Sequence, residues 1–196
     1  DGVDFSTSML ELANKNLNKF PNLRNKISFL KGDVRTVFTN QSYGIVLSLF
    51  HVMSYQTSNE DFISSLNTVK KHLELGGIFI FDCWYGPAVL TIKPTIRYKV
   101  FENNNYKITR IAIPETHPTK NLVDVHYNMF IKNKEDDFIH ELNETHHMRY
   151  FFNNEIELLL SMSGFKIILS EEWLTKKTLG LDTWSATFVC KLIKKA

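Results

Sequence analysis

The chain has 196 residues, 43% hydrophobic and 13% aromatic, enough apolar side chain for one domain with a sizeable core. Its net charge of +2 comes from interspersed signs, with a compact basic cluster only at Lys191, Lys194 and Lys195, which argues against a nucleic-acid or membrane partner. Cys83 and Cys190 each lie in an apolar strand-like run and read as small core residues rather than a disulfide or metal pair; with no signal peptide or apolar span of membrane length, the expected compartment is a reducing cytoplasm.

The sequence opens on Asp1 to Phe5 without a methionine, so the expectation is that the true amino terminus lies upstream. Gly2 to Phe5 reads as the tail of a short strand. Ser8 and Glu11 have capping-box spacing ahead of Leu10, Ala13, Leu17 and Phe20 at helical period, and Pro21 supplies the stop. Ile27 to Leu30 predicts a second strand, ending in Gly32-Asp33. Tyr43 to Phe50 is a nearly unbroken apolar run and predicts a strand buried on both faces. Thr57 and Glu60 then predict a helix start, Phe62, Leu66, Val69 and Leu73 its apolar stripe, and Gly76-Gly77 a left-handed stop near Glu74. Ile78 to Phe81 resumes the apolar run at once, so these two strands should be parallel and joined by a right-handed helical crossover.

From Arg97 to Tyr150 the period changes to two, divided by Asn103 to Asn105, Pro114 to Lys120 and Asn133 to Asp137; that predicts an antiparallel meander of about four strands inserted in a single domain spanning 1–196. Asn153 or Asn154 should cap a last helix carrying Ile156, Leu159 and Leu160, ended by Gly164 and followed by strands from Phe165 to Trp173 and Trp184 to Leu192. Ligands of such sheets bind outside the carboxyl ends of the parallel strands. That rule places Leu49, Phe50 and His51, and Asp82, Trp84 and Tyr85, on the working edge.

Together these segments resemble class I S-adenosylmethionine-dependent methyltransferases along essentially the whole chain, which implies an α/β, Rossmann-like sheet with S-adenosylmethionine as cofactor. Gly2 to Ser6 with Met9 is similar to the end of that family's second strand. The resemblance implies that Asp4 accepts from the ribose hydroxyls and Met9 lies against the adenine, with Phe5 and Ser6 beside them. Lys31 to Arg35 is similar to the motif after the third strand, implying Gly32, an adenine-binding Asp33 and the Val34 amide as further contacts; Leu49 and Phe50 complete the cofactor set. The family's first strand and glycine-rich loop have no counterpart, so an amino-terminally incomplete domain is expected, the alternative being a binding module that no longer catalyses.

The inserted sheet resembles the subgroup that methylates small molecules, nucleotide sugars among them, which implies a sugar or sugar nucleotide as acceptor, methylated at N or O. His51 and Tyr85 are the candidate general bases, and Trp84, Arg97, Tyr127, His146 and Arg149 the candidate acceptor contacts, because aromatic and cationic groups suit sugars and phosphates. His146 and His147 are adjacent on a strand and point to opposite faces, so no metal site is expected.

Overall fold

A computed structural model describes residues 1–195. In chain order the elements are β1 (Gly2–Asp4), α1 (Thr7–Leu17), β2 (Phe29–Lys31), β3 (Tyr43–Ser48), α2 (Asn59–His72), β4 (Leu73–Tyr85) and the short α3 (Gly86–Thr91). There follow β5 (Arg97–Glu102), β6 (Tyr106–His117), β7 (Leu122–Asn133), β8 (Ile139–Phe151), α4 (Asn153–Met162), β9 (Phe165–Glu172) and β10 (Ser185–Leu192).

β4 is the axis of the molecule. Its alternate residues Phe79, Phe81 and Cys83 are fully buried, as are Ala186, Phe188, Cys190 and Leu192 on β10, which pairs with it antiparallel. Period two thus puts these side chains on one face, while Ile78, Ile80 and Trp84 of β4 and Val189 of β10 take the other. Phe62, Leu66 and Val69 of α2 and Ile156, Leu159 and Leu160 of α4 cover the buried face at helical spacing. Phe81 lies at the centre, stacked on Phe79 and Phe188 and edge-on to Phe62. No helix among the described residues is long and apolar enough to cross a membrane.

The predicted βαβ unit is present: β3 and β4 are parallel, joined through α2. The helix boundaries move. Ser58 rather than Thr57 caps α2, its hydroxyl accepting from the Asp61 amide at 3.0 Å, and Ser6 rather than Ser8 caps α1. In each case the serine that keeps extended backbone dihedrals with its hydroxyl three residues before a free amide takes the cap. α4 starts at Asn153 with Phe152 at its cap position, and the Glu155 carboxylate accepts from the Phe152 amide at 3.3 Å. α2 ends at His72, two residues before the expected stop, because Leu73 already pairs with Tyr43. Gly76, at φ +85°, sits instead in an irregularity of the β3–β4 ladder, where the register passes from Leu73 to Ile78 as β3 advances only from Tyr43 to Ile45. A left-handed residue there re-aims the strand, the work of a bulge.

β3 is not buried on both faces. Ile45 and Leu47 are 60% and 57% exposed, because Val46 and Ser48 face the core and no described element packs over the opposite side. β1 and β2 form a parallel pair of their own, unpaired with β3. The Asp1 carboxylate, accepting from the Ser28 and Tyr43 hydroxyls, links the two groups of strands.

The meander is a four-stranded antiparallel sheet as expected, β5-β6-β7-β8. Its attachment was not legible. β3 leaves the edge of β4 at Phe81, and β8 takes up the same edge at Trp84 and Tyr85, parallel to it. The inserted sheet is therefore continuous with the main sheet at the carboxyl end of β4. Val123, Val125, Met148 and Tyr150 pack there on Val89 of α3, with Trp84 and Trp184 at the border.

Candidate active site

β1 and β2 are parallel, as are β3 and β4; Asp1 ahead of β1 meets Tyr43 at the start of β3, and Arg35 beyond β2 reaches Asp61 in the first turn of α2, beyond β3, so the carboxyl ends of both pairs lie to one side. After β1, Asp4 Oδ1 accepts from the Ser6 amide at 2.7 Å, while the Ser6 hydroxyl caps α1. That turn leaves Phe5 and Met9 73% and 53% exposed beside the carboxylate. After β2, the Gly32 amide donates to the Asp4 carbonyl at 3.1 Å. A Cβ on Gly32 would lie 2.6 Å from Val37 Cγ2, so the chain after β2 folds back this closely only because residue 32 is glycine. Asp33 then turns the chain and holds the Arg35 side chain, which donates at 2.6 Å to Oδ2 and at 3.0 Å to Oδ1 and also reaches Asp61 at 2.8 Å; Val34 lies between them.

The Arg35 hydrogen bonds hold the Asp33 carboxyl below the usual carboxylate range. A carboxylate lowered by folding contributes stability that is present above its unfolded pKa of about 3.9 and is lost as pH falls through the lower folded value. Acid titration of stability should therefore show a component between pH 5 and about 2 that Arg35→Gln removes, read by circular dichroism against pH.

After β3 the backbone takes two consecutive left-handed residues beyond Leu49, Phe50 at φ 63° and His51 at φ 65°. Non-glycine residues reach this region rarely and persist there when the surroundings over-determine them. Here the His51 amide donates to Asp82 Oδ2 at 3.1 Å, its ring Nε2 lies 3.0 Å from the Ser185 hydroxyl, and that hydroxyl donates to Asp82 Oδ2 at 3.4 Å. This network assigns the proton of His51 to Nε2 and leaves Nδ1 as an acceptor. Burial lowers the His51 pKa, opposed by the nearby Asp82 charge, so the ring is neutral at neutral pH. Asp82 itself is 1% exposed, and its Oδ1 has no partner.

The other sequence-derived candidates divide. Trp84 is half-buried, edge-on to His51 and to Trp184. Tyr85 is a core residue, 8% exposed, with burial pushing its phenol up. Its period-two place beside Cys83 turns it to the packed face, so the expectation of a base is corrected there. Arg149 is also corrected. Its Nη2 donates at 2.6 Å to both Asn59 Oδ1 and Glu155 Oε1, and its guanidinium lies over Phe151, with the side chain 7% exposed. It is an anchor for the starts of α2 and α4, buried on the packed side of β8.

Strand register settles which of the remaining residues act together. Arg97 opposes Ala112, Ala112 opposes Tyr127, and Tyr127 opposes Glu144. Arg97, Tyr127, Glu144 and His146 consequently share one face, and Arg149 and His147 take the other. On the first face His146 lies edge-on to Tyr127 at 4.9 Å, and Arg110 stacks over Tyr127. On the second, His147 Nδ1 bonds Asp124 at 2.6 Å and His117 Nε2 the same carboxylate at 3.1 Å.

One residue absent from the sequence reading meets His146 beside β8, where a cavity draws on residues of both faces of that strand. Tyr55, at the end of the 3-10 turn Val52–Tyr55 that follows β3, has its hydroxyl 2.6 Å from His146 Nδ1. Tyr55, Thr57, Thr145, His146 and His147 line an open cavity of about 280 Å³. Tyr55 lay in a turn with no periodicity; its signal was an aromatic a few residues past the carboxyl end of β3.

This arrangement, an open α/β sheet with carboxylates at successive strand ends and an antiparallel sheet beside the working edge, is the fold seen in S-adenosylmethionine-dependent methyltransferases of known structure. Residues 1–81 match the family described as Methyltransferase domain. The chain is 20% identical over 166 residues to dTDP-3-amino-3,4,6-trideoxy-alpha-D-glucopyranose N,N-dimethyltransferase of Streptomyces venezuelae, a match that covers 85% of this chain and 65% of that protein. It thus spans about two thirds of the length of that relative. Among solved structures, a S-adenosylmethionine-dependent methyltransferase from Clostridium acetobutylicum ATCC 824 superposes with a TM-score of 0.77 at 22% identity, over 97% of this chain and 73% of the other. SAM-bound CalS10, an amino pentose methyltransferase from Micromonospora echinaspora, superposes at 0.69 with 15% identity, over 97% and 72%.

Proposed function

We propose that this protein transfers a methyl group from S-adenosylmethionine to a nitrogen or oxygen of a small molecule, a sugar or sugar nucleotide. The observation that carries the reading is the shared edge: Asp4, Asp33 and His51 follow the carboxyl ends of β1, β2 and β3, and the aromatic face of the inserted sheet adjoins the end of β4. The donor set fits a nucleoside. Asp4 supplies a carboxylate for vicinal hydroxyls, Gly32 lets the chain after β2 fold closely against Val37, Asp33 and the Val34 amide offer an acceptor and a donor for a base edge, and exposed Phe5 and Met9 offer apolar surface to a ring. Leu49 and exposed Phe50 follow β3 on the same edge, Phe50 lying edge-on to Trp173.

The bound sulfonium supplies an activated methyl group. What remains for the chain's own residues is to orient the acceptor in line with it, exclude water and take a proton, and positioning of this kind accounts for several kcal/mol of a barrier. Asp82, buried and fixed by the His51 amide and Ser185, holds the β3 turn against β4 and β10. Trp84, Tyr127 and Arg97 belong to the acceptor side, the first two as apolar walls and Arg97 as a cation for an anionic substituent. Small-molecule amino sugars methylated by the relatives above support this choice of acceptor, and the weak net charge supports it over nucleic acid.

The test is S-adenosylhomocysteine binding, followed by thermal shift and calorimetry. Binding should raise the melting temperature by mass action, and Asp4→Ala should weaken affinity by about 1.5–3 kcal/mol, the scale of hydrogen bonds to a charged acceptor. The same substitution should leave turnover at saturating cofactor little changed, since ribose contacts are alike in ground and transition states. No stabilisation at millimolar ligand would refute the reading, and binding with no transfer to any amino sugar nucleotide would favour a binding module instead.

A further inference from the structure

We infer that Tyr55 is the group that takes the acceptor's proton, in a relay in which His146 receives the tyrosine proton and Glu144 orients His146. The inference rests on the methyltransferase reading above and assigns the proton step within it. Its geometry is a continuous chain: Tyr55 Oη lies 2.6 Å from His146 Nδ1, and His146 Nε2 lies 3.5 Å from Glu144 Oε2. A carboxylate only accepts, so the imidazole proton is assigned to Nε2, which leaves Nδ1 to accept from the Tyr55 hydroxyl. The lone pairs of Tyr55 Oη are then free to accept from a ligand in the cavity that Tyr55 and His146 line. At about 280 Å³ that cavity lies close to the lower end of the ~300–1,000 Å³ usual for small-molecule sites. Its size suits one sugar ring rather than a whole nucleotide.

The placement favours Tyr55 over His51. His51 directs Nε2 inward to Ser185 and Asp82 and does not line the cavity. Tyr55 stands at the end of the turn issuing from β3, and His146 on the face of the inserted sheet turned toward it, so the pair spans the junction of the two sheets. The surroundings hold the pair in place. Tyr127 of β7 packs edge-on to His146, Arg110 of β6 covers Tyr127, and Glu144 is the charged neighbour on β8. Burial, with Tyr127 and Glu144 nearby, pushes the Tyr55 phenol up, so the phenol is protonated at rest and works by passing its own proton on as it receives another.

An amino sugar reaches the site as an ammonium ion, whose nitrogen has no lone pair. One N–H proton goes to Tyr55 Oη as the Tyr55 proton moves to His146 Nδ1, leaving an imidazolium held by Glu144. The neutral nitrogen then attacks: the N–C bond forms, the C–S bond breaks, and its electron pair stays on sulfur. His146 later returns a proton to solvent.

The experiment uses the protein with S-adenosylmethionine and, as probe acceptor, dTDP-3-amino-3,4,6-trideoxy-α-D-glucopyranose. Tyr55→Phe keeps the ring and removes the hydroxyl; kcat should fall by about 100-fold or more, the scale of a lost acid–base group, with S-adenosylhomocysteine affinity within about threefold. His146→Gln tests the positioning role by the split of kcat against KM: kcat should fall on the scale of Tyr55→Phe while the acceptor KM and S-adenosylhomocysteine affinity stay within about threefold. Turnover unchanged in Tyr55→Phe, or a loss confined to His51→Gln, would overturn the inference and leave the enzyme reading standing. No transfer by the wild type to this probe, with cofactor bound, would overturn the amino-sugar reading and the inference together.

Discussion

Phe81→Ala is expected to remove about 3–5 kcal/mol from the free energy of unfolding, as large-to-small changes of a buried aromatic do. The residue is fully buried, with ring centroids of Phe79 and Phe188 at 5.0 and 5.4 Å and that of Phe62 at 6.2 Å, so three elements lose contacts at once. The neighbours are themselves rings in fixed rotamers on β4, β10 and α2, and they cannot collapse into the space without shifting backbone. Against a total stability of about 5–15 kcal/mol this is a large fraction, corresponding to a melting shift on the order of 10 °C. Urea unfolding followed by tryptophan fluorescence measures it. Ile168→Ala, at a β9 position 53% exposed, should stay within about 0.5 kcal/mol in the same experiment. Equal effects at the two positions would mean that the β4–β10 face is not the core.

Arg149→Ala should cost about 2–4 kcal/mol, somewhat under the 3–5 of a fully buried broken ion pair because the Glu155 side chain retains 24% exposure. The substitution strands Glu155 Oε1 and Asn59 Oδ1 at the starts of α4 and α2, and it removes a cation from the Phe151 face at 4.8 Å. Arg149→Met keeps the apolar stem over that ring and should recover part of the loss. The measurement that separates an anchor from a substrate contact is the pairing of unfolding with acceptor kinetics. An anchor gives a lower melting temperature with the acceptor KM unchanged at temperatures where the variant is folded. A raised KM with full stability would return Arg149 to the acceptor site.

Much of the fold was legible because its signals are local. The apolar runs at Tyr43 to Phe50 and Ile78 to Phe81, the helical stripe between them and the period-two insertion each depend on residues within a dozen positions of one another. So did the placing of Asp4, Asp33 and His51 at strand ends. Helix starts missed by a residue or two, since several serines and threonines compete for each cap and only the backbone decides which hydroxyl meets a free amide. The double burial of β3 failed for a different reason: an apolar run records what a strand could bury, and Ile45 and Leu47 are exposed because no described element covers them.

The sequence by itself determined the element order, the strand ends that carry the carboxylates, and the residue types available for chemistry. Only the tertiary structure decided which of those residues meet. Arg149 and His146 look equally suited to a substrate, yet they stand on opposite faces of β8, and an odd separation in sequence gains meaning only once the strand is known to be regular and one face is known to be packed on helices. Tyr55 and His146 are 91 positions apart, and no pattern links them. What brings them together is β8 taking over the edge of β4 that β3 gives up, a pairing fixed by backbone hydrogen bonds whose partners any residue type could supply.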